Sequence, residues 1–394
     1  MTRRLRALVF MYNSRRYGES FGGAERRILQ FSKFADMEIH FLEKQPGFAR
    51  FYSSQPFHLA WIPSSRMRIP AQVRALIWAL TAFLSALHLN RKFKFDLFAS
   101  HDPEFWNVLP LFLASKLTGR PSIAYLHHTE RIENDAPART FIDFYRYFRR
   151  LGYHMLSSVL SAFEKRVSIT FLKQLDGLLA VSSTTKHDFV NRGVPQTKVA
   201  VVDNGIDLNY FSTFRRHEKI YDIAYLGRIS PRKGLDDILY VVKNMSKKAI
   251  IIGSGTPYQV ERYRNLAKSI QDLEFPGFLP DHEAYSLIAS SKLFLFPSYE
   301  EGFGLVIGEA IALGVPVVCY DVPSLIEVWN GAVRFVRTGE KQTLKEEVLS
   351  LLNNEKKRNE LAQKAIRVIK KYDWQEVAPH ETTVLRNIVG RRKP

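Results

Sequence analysis

The sequence predicts an α/β protein of two Rossmann-like domains, each a doubly wound parallel sheet, and three observations support this fold class. First, 394 residues are more than one ordinary hydrophobic core accommodates. Second, short apolar runs alternate with segments of helical period, as in parallel sheets with crossover helices. Third, a polar, glycine-containing stretch from Asp203 to Glu218 interrupts the alternation, which then begins again. We therefore predict two domains that repeat one architecture.

In the first half, seven apolar runs are predicted to be strands. The N-terminus looks superficially like a signal peptide, but its apolar core, Ala7 to Tyr12, is too short and Arg15 and Arg16 follow it closely. We therefore predict a first strand at Leu5–Met11. The other strands are predicted at Glu38–Leu42, His58–Ile62, Phe95–Ser100, Ser122–His127, Gly177–Val181 and Lys198–Val202. Helices are predicted at Ala24–Phe34, Ala71–Leu89, Trp106–Leu117 and Thr184–Asn191, with a long helical stretch around Ile142–Lys173.

In the second half, strands and helices alternate in the same way. Strands are predicted at Tyr221–Leu226, Ala249–Ile252, Leu273–Phe275, Leu293–Phe296, Val315–Tyr320 and Val333–Val336, and later helices at Leu344–Leu352, Glu355–Lys371 and Trp374–Val389. The predicted boundaries are 1–205 for the first domain, 206–372 for the second and 373–394 for a tail helix. Because ligands of open α/β sheets bind beyond the carboxyl ends of the strands, we expect a site in the cleft between the domains.

Charge and cysteine content narrow the classes of function. The net charge is +18, and residues 1–205 contribute 29 Lys and Arg against 16 Asp and Glu, so this half should attract anions. The one cysteine, Cys319, lies in an apolar run, which excludes an internal disulfide and a cysteine zinc cluster and is consistent with a reducing cytoplasm. The longest apolar run, Leu76–Leu87, falls short of the roughly 20 residues that span a bilayer, so no transmembrane helix is expected.

The most informative segment is SYEEGFGLVIGEAIALGVPVV, from Ser298 to Val318. It places Glu301 on a predicted strand-to-helix turn and Glu309 about two helical turns later, with the glycines Gly302 and Gly304 between them. The first amides of a helix favour negative charge, and carboxylates accept hydrogen bonds from hydroxyls. Phosphate and sugar hydroxyls together indicate a nucleotide sugar.

Two further glycine-containing loops follow strands of the second half. Gly227 to Gly234 contains Arg228 and Lys233, which suit phosphate contact, although a solvated basic loop would have the same composition. Gly253-Ser254-Gly255 could lie beside a phosphate or a nucleoside, or be only a tight turn.

The first half offers fewer candidates. Gly22 and Gly23 open the first helix, where a diphosphate or sugar could approach, although a plain loop remains possible. His127 and His101 end neighbouring predicted strands and could bond a sugar hydroxyl or share a proton at pH 6–7, whereas a structural role is the common alternative. No Asp-X-Asp pair or other metal-binding pattern is present, so Arg228, Lys233 and helix amides would have to stabilise a departing diphosphate.

Basic and aromatic residues interleave from Arg139 to Arg150, and further cations flank the apolar run Leu76–Leu87. Rings and cations on a helix are typical of a membrane interface, and the alternative is a core helix with a solvated basic face.

With these motifs in order along the chain, the sequence resembles the retaining glycosyltransferases of family 4, also called glycosyl transferases group 1, which have the GT-B fold. The resemblance runs nearly end to end and rests on the Glu301–Glu309 segment, on residues 227–234, on Asn204 to Asp207 and on residues 22–26. It implies two domains facing a central cleft and a C-terminal helix that crosses back to the first domain.

The resemblance also assigns roles to individual residues. It implies that Glu309 holds the ribose and Glu301 the donor sugar, and that Arg228 and Lys233 bind the diphosphate with Gly22 and Gly23 opposite. It places His127 beside the reacting sugar carbon. The remaining donor contacts that it implies are the backbone at Gly302, Phe303, Gly304 and Leu305, and the nucleobase neighbour Phe278.

We therefore expect an enzyme that moves a hexose from a nucleoside diphosphate sugar to a lipid-linked or otherwise anionic glycan at the cytoplasmic membrane face, with retention and without metal or cofactor. Three alternatives remain: a soluble glycan-polymer synthase of the same fold, a non-catalytic sugar-binding subunit and a basic nucleic-acid-binding protein. Intact Glu301, Glu309, Arg228 and Lys233 disfavour the second, and no nucleic-acid-binding motif supports the third.

Overall fold

The computed structural model describes residues 3–12, 22–44, 54–61, 71–128, 130–131, 137–214 and 218–392. The chain divides into two compact units, Met1–Asp203 with Gln375–Pro394, and Asn204–Trp374. Each unit contains one parallel sheet with connecting helices, which confirms the predicted α/β class.

The sheet of unit 1 has the strand order β3-β2-β1-β4-β5-β6-β7, and every pair is parallel. Strand β1 lies inside the sheet, between β2 and β4, because the chain first builds outward to β3 and then returns to β4 on the other side of β1. Its run Leu8 to Met11 is fully buried, as expected for a strand covered on both faces. The strands are β1 (Leu5–Met11), β2 (Met37–Lys44), β3 (Phe57–Ala60), β4 (Leu97–Ser100), β5 (Ser122–Leu126), β6 (Gly177–Ala180) and β7 (Val199–Val201).

Helices cover this sheet. Those of unit 1 are α1 (Gly23–Phe34), α2 (Ala71–Phe93), α3 (Phe105–Thr118), α4 (Phe141–Arg150), α5 (Met155–Leu172) and α6 (Ser183–Asn191). The terminal helix α15 (Trp374–Gly390) belongs to unit 1 from Gln375 onward. It packs there through Ile388, whose side chain lies against Gly177.

Unit 2 repeats the pattern with the strand order β10-β9-β8-β11-β12-β13, again all parallel. The strands are β8 (Tyr221–Leu226), β9 (Ala249–Ile252), β10 (Leu273–Gly277), β11 (Ser291–Phe296), β12 (Val317–Tyr320) and β13 (Arg334–Val336). The helices are α7 (Leu208–Ser212), α8 (Leu235–Lys243), α9 (Pro257–Ala267), α10 (Asp281–Ala289), α11 (Leu305–Ala312), α12 (Pro323–Trp329), α13 (Lys341–Leu352) and α14 (Glu355–Ile369). Cys319 is fully buried on β12, as predicted.

The long helical stretch predicted around residues 142–173 is two helices instead of one. Gly152 adopts a left-handed backbone with φ of 83°, and the Tyr153 amide donates to the Phe148 carbonyl, which ends α4. Helix α5 then starts after His154. A glycine within an apparently continuous helical pattern therefore marks a helix end here.

Helix α2 is longer than the apolar run within it. It has 23 residues, and Val73–Phe93 is long and apolar enough to cross a membrane by length and composition, with a mean hydropathy of 1.3. However, Trp78, Ala82 and Ala86 are completely buried against the sheet of unit 1. We therefore interpret α2 as a core helix with one exposed side.

The aromatic residues that favoured a membrane interface in α4 are mostly internal. Phe144, Tyr147 and Phe148 are buried and pack against Ala162 and Ile169 of α5. Because these rings form a core, the alternative interpretation of α4 as a core helix with a basic outer face is the better one. Arg66 and Arg68, two of the cations that flank the apolar run Leu76–Leu87, lie outside the described residues.

Candidate active site

The candidate donor site lies at the carboxyl ends of the strands of unit 2. The strand order reverses between β8 and β11, which are neighbours in the sheet although far apart in the chain. Loops leaving two such strands diverge, because their helices lie on opposite faces, and the crevice between them is the usual ligand position. The loop after β8 contains Arg228 and Lys233, and the loop after β11 contains Glu301.

The structure brings Lys233 and Glu301 together. Nζ of Lys233 forms an ion pair with Oε1 of Glu301 and donates to the Glu300 carbonyl at 3.1 Å. Both side chains are only partly exposed, at 21% and 14%. Since an ammonium group has three N–H donors, two are used here and one remains for an anion. The second carboxylate oxygen of Glu301 remains an acceptor for a hydroxyl.

Gly234 makes this approach possible. Its backbone has φ of 72°, and a Cβ placed on it would lie 2.0 Å from the Pro297 carbonyl oxygen. Only glycine fits, so the loop after β8 can press against the end of β11. The Tyr299 amide donates to the Arg232 carbonyl at 2.9 Å, and Arg232 pairs with Glu300 at 2.8 Å. The two loops are thus joined by backbone and side chains.

The loops after β8, β9 and β10 also meet. A Cβ on Gly253 would lie 1.8 Å from the Gly227 carbonyl oxygen, so these backbones are in direct contact. The Gly253 amide donates to the Gly277 carbonyl at 2.8 Å, and Phe278 follows with 44% of its surface exposed. Phe278 and Gly253 therefore belong to the same edge as Arg228, and an exposed ring there is available for stacking.

The turn from Glu301 to Gly304 is supported from within unit 2. Phe303 is buried, and its ring lies edge-on to Trp329 and Tyr372, with centroid distances of 5.4 and 5.2 Å. Trp329 Nε1 donates to the Phe303 carbonyl at 2.7 Å. The side chain of Phe303 is therefore a structural anchor, and only its backbone can contact a ligand.

Helix α11 starts directly after this turn. Gly304 is its N-cap with φ of 79°, a left-handed conformation that favours glycine. Among the described residues, no backbone hydrogen bond uses the amides of Phe303, Gly304 and Leu305. Such amides at a helix start can receive an anion.

Glu309 and Arg228 are the other two charged residues of unit 2 that the sequence predicted to bind the donor. Glu309 lies on α11 and is 4% exposed, whereas Arg228 is exposed at the end of β8. Burial raises the pKa of Tyr225 well above its usual value, the Glu301 carboxylate raises it further, and Arg228 partly opposes this shift. Both charges therefore lie near the Tyr225 hydroxyl, which donates to the Arg228 carbonyl at 2.9 Å.

Sequence reasoning missed a buried carboxylate behind this edge. Asp237, in the first turn of α8, accepts hydrogen bonds from Tyr320 at 2.9 Å and from Tyr299 at 2.5 Å. These contacts connect α8 to strand β12 through Tyr320, and to the loop before Glu301 through Tyr299. Nothing in the spacing of the adjacent pair Asp236 and Asp237 indicated which of them points inward.

In unit 1, Gly22 is the N-cap of α1 and Gly23 is its first residue. A Cβ on Gly22 would lie 2.4 Å from a carboxylate oxygen of Glu25, so glycine leaves room for that side chain. Residues 13–21, which precede this helix, lie outside the described residues. The structure therefore places both glycines at a helix start, as the sequence predicted.

His127 follows β5 and is partly buried. Its Nε2 lies 2.6 Å from the His101 carbonyl oxygen. Because a carbonyl can only accept, Nε2 must carry the proton, which leaves Nδ1 as an acceptor. Burial, with the nearby Arg27 cation, lowers the pKa of His127 to about 3. The ring is therefore neutral at pH 6–7, and the expectation that it shares a proton there is wrong.

His101 has a structural role. It is 1% exposed, its Nδ1 lies 3.1 Å from the Phe10 carbonyl oxygen, and its Nε2 lies 3.3 Å from Asp102. Both ring nitrogens thus have protein partners, while its carbonyl orients His127.

A buried ion pair that sequence reasoning also missed lies behind His127. Arg27 of α1 donates to both carboxylate oxygens of Glu381 on α15, and both side chains are completely buried. The Tyr125 hydroxyl donates to Glu381 at 2.6 Å, and the Tyr125 ring stacks on His127. Arg27 directly follows residues 22–26, which contribute to the family resemblance, but its partner is 354 positions away and no local pattern indicates it.

Two Rossmann-like units in one chain are the domain composition of GT-B glycosyltransferases, and the second unit has a cation–carboxylate pair at its crevice. Residues 209–368 match the family model of glycosyl transferases group 1, and residues 21–210 match that of glycosyltransferase family 4. The chain belongs to the family 4 type of GT-B glycosyltransferases.

Individual proteins agree with this assignment. The chain is 24% identical to the alpha-galactosylglucosyldiacylglycerol synthase of Streptococcus pneumoniae over 57% of this chain and 67% of that protein. It is 27% identical to the capsular polysaccharide biosynthesis glycosyltransferase CapM of Staphylococcus aureus over 54% and 63% of the two chains. Several other relatives are matched over only 41% to 46% of their length.

Solved structures agree on the fold. Anabaena HepE, in complex with UDP and glucose, superposes with a TM-score of 0.73 and 17% identity, covering 97% of this chain and 100% of that chain.

Proposed function

We propose that this chain transfers a hexose from a nucleoside diphosphate sugar to a lipid-linked or otherwise anionic glycan, at the cytoplasmic face of a membrane and with retention at the anomeric carbon. The observation that supports the proposal best is the Lys233–Glu301 pair at the strand edge of unit 2. An ammonium group and a carboxylate in contact offer a diphosphate and a sugar alcohol their preferred partners within one site.

Each part of the donor has a partner of matching chemistry in unit 2. Lys233, Arg228 and the amides at the start of α11 would receive the diphosphate, and Glu301 would accept from sugar hydroxyls. Glu309 would accept from the ribose, with Phe278 beside the base and Gly253 allowing close approach. Gly22 and Gly23 of unit 1 would contact the diphosphate as well. HepE was crystallised with UDP and glucose, so UDP-glucose is the first donor to test.

For retention, the acceptor hydroxyl would attack the anomeric carbon from the face that the diphosphate leaves. The bond to the diphosphate oxygen breaks as the new glycosidic bond forms, and that departing oxygen takes the hydroxyl proton. Positive charge fixed before the reaction lowers the barrier because no reorganisation is needed. We therefore propose transfer without a divalent cation. His127, neutral with Nδ1 as acceptor, would receive a hydrogen bond from a sugar hydroxyl. Product NMR would establish the anomeric configuration, and a rate unaffected by EDTA would support metal independence.

The acceptor part of the proposal rests on charge and on the relatives. The excess positive charge lies in residues 1–205, which favours an anionic acceptor. One relative is named for a diacylglycerol glycolipid and another for capsular polysaccharide. Lipid-linked acceptors should therefore be assayed first.

The site assignment is tested by the variants Lys233→Ala, Glu309→Ala and Glu309→Gln. Each should lower the transfer rate about 10²- to 10³-fold, the usual effect of removing one preorganised contact. UDP-, GDP- and ADP-sugars are first screened by thermal stabilisation, since a ligand at a hundred times its Kd adds about 2.7 kcal/mol.

Lys292→Ala is the matched control. Lys292 lies at the start of β11, at the opposite end of this strand from the loop that contains Glu301, and it pairs with Asp222 of β8. It should keep the wild-type rate. Full activity in Lys233→Ala, or in both Glu309 variants, would contradict the assignment.

A further inference from the structure

Helix α2 has an exposed apolar stripe in addition to its buried side. Val73, Leu76, Leu80 and Leu84 are spaced three or four residues apart, so they share one side of the helix. Between 45% and 59% of each side chain is exposed. The buried side, which includes Trp78, already attaches the helix to the sheet. The stripe therefore contributes nothing to the core of unit 1.

The first half of α5 repeats this arrangement. Met155, Leu156 and Phe163 are 67%, 68% and 61% exposed, whereas Ser158 and Ala162 on the other side are buried. Exposed large apolar side chains at helical spacing usually mark a surface that contacts a partner or a membrane.

The two stripes face the same way. Helix α3 packs between α2 and α5, and Trp78, Leu111 and Leu172 of the three helices belong to one core cluster on one face of the sheet. Their opposite sides must then point away from the sheet together. On α3 that side carries Leu117, which is 70% exposed. We call the exposed sides of α2, α3 and α5 the outer helical surface.

Positive charge accompanies the outer helical surface. Helices α2, α3 and α5 contain six Lys and Arg against one acidic residue, and α2 and α3 contain no acidic residue. One of the six, Lys165, pairs with Glu104 and Glu130. Trp61, 61% exposed, lies beside α2, since the Thr81 hydroxyl donates to its carbonyl at 2.8 Å. Leucines, a tryptophan and an excess of cations over acids are typical of surfaces that insert into the interface of a bilayer.

We propose that the outer helical surface docks on a bilayer containing anionic phospholipid. This deepens the proposed function by assigning its membrane contact to named helices. A second copy of the chain fits less well, because a symmetric contact would bring the same cationic surface against itself. Anionic head groups instead complement the cations while the leucines enter the acyl boundary.

Flotation of the full chain with vesicles tests the proposal. The wild type should float with phosphatidylcholine–phosphatidylglycerol vesicles and not with phosphatidylcholine alone, and high salt should weaken the binding. The variant Leu80→Gln/Leu84→Gln/Leu156→Gln/Phe163→Gln should bind at least about tenfold more weakly, because it removes apolar contact and leaves every charge. Leu266→Gln/Ile366→Gln, which changes exposed apolar residues on helices of unit 2, should bind like the wild type.

Three results of the flotation experiment would contradict the proposal. A wild type that floats with neither vesicle contradicts it, as does a quadruple variant that floats normally. A wild type that sediments as a dimer, does not float, and becomes monomeric in the quadruple variant would assign the surface to a second copy instead.

Thermal stabilisation by UDP-glucose is measured on the same proteins. Lost flotation with retained stabilisation shows that the variant is folded and supports the proposal. Normal wild-type flotation with no stabilisation by any nucleotide sugar would count against the proposed function alone.

Discussion

The side chains of Lys233 and Glu301 come from positions 68 residues apart, and the conformation of one glycine allows them to meet. Gly234 follows Lys233 directly and touches the backbone at the end of β11. The sequence predicted the charged residues from their position after strands. It did not predict that they pair with each other, because pairing depends on how two loops cross.

Replacing Gly234 by alanine should therefore disrupt the donor site. The new Cβ would meet the Pro297 carbonyl, so the loop must move and Lys233 must leave Glu301. We expect at least a tenfold lower kcat/KM, together with a lower free energy of unfolding by about 1–3 kcal/mol for a strained left-handed residue.

The variant Gly331→Ala separates the steric contact with a neighbouring backbone from the cost of placing alanine in a left-handed conformation. Gly331 has a similar φ of 77°, but a Cβ there would meet nothing within 4 Å. Urea unfolding should show only the backbone cost, and steady-state kinetics should be unchanged. Equal kinetics for both variants would mean that the Gly234 contact has no part in catalysis.

At the scale of elements, the sequence predicted the positions of the strands and of most helices well, because the periods of parallel strands and crossover helices differ clearly. It failed where a local pattern was misleading. Gly152 ends α4 inside an unbroken helical pattern, and the aromatic residues of α4 face a core formed with α5. Burial of a ring depends on the neighbouring helix, which no local window contains.

The attachment of α15 to unit 1 gives a second prediction. Glu381→Ala would remove the carboxylate that pairs with the buried Arg27 guanidinium, and breaking such a buried pair costs about 3–5 kcal/mol. The free energy of unfolding should fall by that amount in chemical denaturation.

Arg386→Ala on the same helix is the control. Its partner Asp36 is exposed, and such surface pairs contribute at most about 1 kcal/mol. A Glu381 variant as stable as the Arg386 variant would show that the buried pair does not hold the helix.

For the whole molecule, stability should fall as the solution becomes mildly acidic. Burial lowers the pKa of His127 to about 3 and that of His58 to about 4, both well below the unfolded value near 6.5. Below about pH 6.5, these two histidines therefore bind protons in the unfolded chain but stay neutral in the folded chain. The free energy of unfolding should drop by up to about 1.4 kcal/mol per pH unit for each such proton.

Urea midpoints at pH 7.5 and 5.5 would measure this dependence. His58→Gln keeps a hydrogen-bond donor toward His40 but removes the titration, so its midpoint should change less between the two pH values. His154→Gln, at an exposed histidine, should behave like the wild type. An unchanged pH dependence in His58→Gln would exclude this residue as a cause.

The contacts of Arg27 also determine which residues an expression fragment of the N-terminal half must contain. Its guanidinium binds the Asp203 carbonyl, at the last residue of the first segment of unit 1, and Glu381, on the segment that returns at the end of the chain. A fragment stopping at position 203 would omit the buried carboxylate that pairs with this cation. The N-terminal half is therefore a discontinuous folding unit, and an expression fragment meant to isolate it has to carry the last helix as well.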